Sequence, residues 1–168
     1  MATTKPIPTA KAAPGPAVET LTPGERLLLW SFRAWVAGAG HRPLVLREFG
    51  RTFPADDAGP AIRALDRSVA AIAGHARRTI VHHPVCGQQA SPDEQVILAL
   101  FAAVQAERVE LAVRLARWLV RPAGVTPLVT AAAALAFAMT ENDLDLPLRP
   151  APRPERAGHA RVAALLPP

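Results

Sequence analysis

The sequence predicts an all-α protein: a compact bundle of five to six helices between disordered proline-rich N- and C-terminal tails. Three observations predict it. Thr22-Pro23-Gly24-Glu25 and Ser91-Pro92-Asp93-Glu94 both read as capping boxes, in which a hydroxyl accepts from the third helical N–H, proline fills the first helical position and a carboxylate reaches back. Apolar side chains recur at intervals of three and four, the spacing of a helix stripe. No Asn-Gly or Asp-Gly pair joins two alternating apolar runs, so the usual hairpin signal is missing.

Taken in order, the first helix should span 22–38, with Leu28, Phe32, Trp35 and Val36 on one face and Gly38 and Gly40 ending it. A short piece of one or two turns follows at 44–49. Ile62, Leu65, Val69, Ile72, Ala76 and Ile80 then mark one stripe of a longer helix, with Arg63, Arg67, Arg77 and Arg78 facing away from it. The stretch 92–121 carries an unbroken four-three pattern without Gly, Pro, Asn or Asp after Asp93, which locally suggests one helix about 45 Å long. Ordinary helix lengths favour a hairpin broken near Ala106, which also accounts for Arg108 on an apolar stripe. The half after the break looks apolar nearly all round, and more so than a small bundle readily covers. The last helix should cover 126–140, opened by Thr126-Pro127 and stopped near Asn142.

The 168 residues are 50% apolar and 20% charged, enough for one globular domain whose core needs no disulfide or metal. That domain is placed at 22–146. Ten of the 18 prolines fall in the flanking segments 1–21 and 147–168, the second of which holds a candidate short helix over 155–166. The lone Cys86 excludes an intramolecular disulfide and suits a reducing, cytoplasmic setting. The first 19 residues lack the apolar core of a secretory signal. The uncharged run 122–140 is interrupted by Thr126, Pro127 and Thr130, so it reads as a buried helix rather than a membrane span.

The net charge of +5 invites a nucleic-acid reading. Residues 22–146, however, hold thirteen arginines against twelve acids, so most of the excess belongs to the tails. The helix face of Arg63, Arg67, Arg77 and Arg78 is the place where weak nucleic-acid binding would occur. Asp66 interrupts it, and no aromatic residues interleave for stacking.

His82, His83 and Cys86 are the candidate metal or thiol-sensing group, because imidazole and thiolate suit zinc or copper. No second ligand pair closes such a site, and Pro84 holds His83 extended. Asp56-Asp57 and Asp93-Glu94 stand at helix starts, where negative charge is favoured without catalysis. No catalytic constellation and no cofactor signature emerges. The resulting expectation is a non-enzymatic protein-protein interaction or regulatory module whose partner is another protein or a second copy. Leu111, Leu115 and Trp118, together with the four arginines, are its candidate contact residues. A thiol- or metal-responsive sensor is the alternative.

Overall fold

The computed structural model describes residues 15–150. The expectations for 1–14 and 151–168, including the helix over 155–166, lie outside the described residues. Among the described residues six α-helices follow one another: α1 (Pro23–Val36), α2 (Arg42–Thr52), α3 (Ala55–His75), α4 (Pro92–Gln105), α5 (Val109–Leu119) and α6 (Pro122–Thr140). Among the described residues there are only isolated β-bridges, Ala17 with Gln89 and Ala76 with Val120.

Both capping boxes form. The Glu25 N–H donates to Thr22 Oγ1 at 3.2 Å while the Thr22 N–H donates to Glu25 Oε2 at 2.8 Å, and Ser91 and Glu94 repeat the exchange at 3.1 and 2.7 Å. The other boundaries differ from the sequence reading. The piece at 44–49 is the middle of the eleven-residue α2, anchored by buried Val45 and Phe49. Helix α6 opens a turn before Thr126 because Pro122 takes its first position. Pro127 is tolerated inside because it and Ala123 both face solvent, leaving the carbonyl it cannot serve open to water.

The hairpin forms, with the chain reversing at Glu107, whose φ is +56°. The Arg108 N–H donates to Ala103 O and the Glu107 N–H to Val104 O, the paired bonds of a left-handed helix stop. A second such stop closes α6, with Asp143 rather than Asn142 in the left-handed position (φ +54°). Helix α3 ends at His75, not Ile80. Ala76 turns extended and pairs with Val120, and the Arg77 N–H donates to Leu119 O while the Arg121 N–H donates to His75 O. Ile80 therefore leaves the α3 stripe, and Arg77 and Arg78 leave the helix.

The core is continuous. Phe49, Phe101, Leu28, Leu65, Leu119 and Leu128 are among its fully buried members. Helix α4, not α5, is the one buried nearly all round, from Asp93 to Ala103. Helix α3 packs most extensively on α6, which also touches α4 and α5. Among the described residues α6 alone is long and apolar enough to cross a membrane, and its apolar side chains Leu128, Leu135 and Met139 are buried in the bundle. Residues 15–21, assigned to a disordered tail by composition, are held: the Val18 N–H donates to Gln88 O, and Leu21 joins the core. At the other end Arg149 pairs with Glu25.

Candidate binding groove and the strap beside it

Residues 76–91 form a strap without helix between α3 and α4. Backbone polar groups in such a segment need partners, and two adjacent acids at the start of α4 supply many of them. Glu94 has no exposed side-chain surface. It accepts from Arg33 Nε at 2.7 Å and Nη2 at 2.9 Å, and from the N–H groups of His83 at 3.0 Å and Ser91 at 2.7 Å. Arg33 in turn donates to Gly87 O at 2.7 Å and Gln89 O at 2.6 Å. Burial alone would raise the Glu94 pKa, but these donors together hold it below the ordinary carboxylate value. Asp93 accepts from both terminal nitrogens of Arg78 at 2.7 and 2.6 Å and from the Val81 N–H at 2.8 Å. The bonds to Asp93 raise the Arg78 pKa against the opposing effect of burial.

The strap fixed in this way makes one wall of a groove of about 500 Å³, with α1 and α3 as the others. Its floor is Phe32, Trp35, Val36, Val69, Ile72 and Ile80, and its rim carries Arg42, Asp66, Arg78 and His82. The Trp35 indole N–H donates to Asp66 Oδ1 at 2.9 Å, and the Arg42 guanidinium lies 5.0 Å from the Trp35 ring centre. The groove is open to solvent and sets apolar side chains beside this polar edge. Arg78 joins the groove to α5, because its guanidinium carbon stands 5.6 Å from the centre of the Trp118 ring.

The structure separates the residues singled out from the sequence. Arg63 and Arg67 remain exposed on α3, whereas Arg77 and Arg78 sit on the strap, so the four do not share one helix face. Leu115 is 8% exposed and belongs to the core; Leu111 is half-buried. Trp118 is 39% exposed, and Val109 at the start of α5 is 64% exposed. The surplus apolar surface of α5 is thus confined to its two ends. Cys86 is exposed on a turn closed by the Gly87 N–H donating to Pro84 O, and His82 Nδ1 lies 3.2 Å from His83 O. Among the described residues no three His, Cys, Asp or Glu side chains converge to hold a metal, so the candidates His82, His83 and Cys86 are not brought together on one point.

Sequence reasoning missed the Arg33–Glu94 pair and the groove. Asp93 and Glu94 were legible as caps, but their second task, tying the strap, depends on residues up to 61 positions away. No protein-family model, no curated protein and no solved structure matches this chain.

Proposed function

We propose that the protein is a non-enzymatic interaction module whose groove between α1, α3 and the strap receives apolar side chains from a segment of another protein. The observation that carries this reading is the groove itself: the described residues leave Val36, Val69 and Ile80 partly open at its floor, beside a polar rim of Arg42, Asp66 and Arg78. Val36, on the floor, is 38% exposed. Apolar anchors seated in a pocket with polar residues around them are the usual source of affinity in such contacts.

Selection of displayed random peptides on the full chain tests the proposal. Ala70 is exposed and lines the groove, so Ala70→Trp fills it while leaving the core intact. The wild-type chain should enrich peptides with two or more closely spaced apolar residues, and A70W should fail to hold them. Absence of enrichment, or equal retention by A70W, overturns the reading.

A further inference from the structure

The bridge between Ala76 and Val120 has a second effect. It brings the strap arginines Arg77 and Arg78 against the end of α5, where Arg114, Arg117 and Arg121 flank Trp118. Contacts across this junction are direct: Arg77 Nη1 donates to Arg117 O at 2.9 Å, Arg78 stacks on Trp118, and the Arg121 N–H donates to His75 O at 2.8 Å. Arg114 lies three and four residues before Arg117 and Trp118, on the same side of α5. All five arginines are exposed. Arg78 is neutralised by Asp93, but none of Arg77, Arg114, Arg117 and Arg121 lies within ion-pair distance of a carboxylate among the described residues. Glu110, one turn before Arg114, is the nearest acid along α5.

Four exposed guanidinium groups without a paired carboxylate among the described residues thus share this junction, and such a patch attracts an anionic partner. We infer that this cluster around Trp118 binds a run of carboxylates in the partner polypeptide, with Arg78 as the link between the acidic run and the apolar anchors in the groove. The inference rests on the reading of the groove as a peptide site. Three observations favour an acidic polypeptide over nucleic acid. The cluster adjoins a groove with an apolar floor. Trp118 is the one exposed aromatic in it, and Arg78 already covers a face of that ring, whereas single strands are held by successive stacking platforms. Residues 22–146 are close to neutral, with thirteen arginines and twelve acids, so the cluster is a local feature and not part of a uniformly basic domain. Guanidinium forks also match carboxylates in a two-pronged fashion.

The test is a fluorescence titration of the full chain with a labelled peptide of eight glutamates, and with an oligothymidylate of matching charge, at two salt concentrations. The peptide should bind with a clear salt dependence and more tightly than the oligothymidylate. The double variant R114E/R117E should weaken it by at least about tenfold, as expected for lost and reversed rim charges. R63E, on α3, should leave it unchanged, and because the probe carries no apolar side chain this outcome is read independently of whether the groove holds apolar anchors. Equal or tighter binding of the oligothymidylate, no peptide binding, or no effect of R114E/R117E in a variant that keeps its helical circular dichroism would overturn the inference.

Discussion

Arg33 on α1 and Glu94 on α4 meet in a two-pronged ion pair at 2.7 and 2.9 Å, with side chains only 2% and 0% exposed. The pair is surrounded by strap backbone: two carbonyls on the arginine side and two N–H groups on the glutamate side. It is therefore the tie between the capped start of α4 and the wall of the groove.

Removing the charge of Glu94 while keeping its shape should be costly. Glu94→Gln leaves the Arg33 guanidinium buried without its counter-ion and returns an amide NH₂ towards donors. A broken buried pair costs about 3–5 kcal/mol, which for a chain of this size lowers the melting temperature by about 10 °C. Thermal unfolding followed by circular dichroism measures it. A change within about 1 °C would mean that water reaches the pair and the strap is not held by it.

The same carboxylate sets a pH dependence. Its pKa is lower in the folded chain than the ordinary value of 4.5, so the unfolded chain takes up the proton first as pH falls. The stability it supplies is complete above that ordinary value and is lost progressively below it, down through the folded pKa. Urea midpoints should be level near neutrality and decline below about pH 4.5. E94Q should decline less steeply, and parallel curves for the two proteins would exclude Glu94 as the source.

At the reversal between α4 and α5, Glu107 occupies a left-handed conformation at φ +56°, where a Cβ is unfavourable. Glycine removes that cost while adding chain entropy to the unfolded state, so Glu107→Gly should stabilise by about 0.5–1 kcal/mol. Glu107→Val, branched at Cβ, should destabilise. Chemical denaturation of both variants gives the comparison; loss of stability in the glycine variant would contradict the assigned backbone.

Close approach of α6 to the end of α3 depends on Gly124. A Cβ built there falls 2.4 Å from His75 Cβ and 2.8 Å from its Cγ, inside contact distance. Gly124→Ala should cost about 1–3 kcal/mol by overpacking, despite the better helix propensity of alanine. It should also loosen the adjoining Ala76–Val120 bridge, seen as faster hydrogen exchange at the Arg77 and Arg121 amides, which make the two bonds flanking it. An alanine variant as stable as the parent would show that the helices can part there.

What the sequence by itself determined was where α1 and α4 begin, while α2 and α6 start earlier than their patterns suggested. Thr22 and Ser91 cap through hydrogen bonds spanning three residues, so their geometry follows from the local chain alone. The apolar stripes likewise marked Leu28, Phe32, Leu65 and Ile72 as core, because a helix places every third or fourth residue on one side. Tertiary structure decided where helices end and what they leave between them. Glu107 adopts a left-handed backbone that no local signal favours, because folding α5 back on α4 buries more than the turn costs. Ala76 leaves its stripe to pair with Val120, and Arg33 finds Glu94 across 61 residues of chain. The groove and the arginine cluster arise from those distant meetings, which a pattern of neighbours along the chain does not encode.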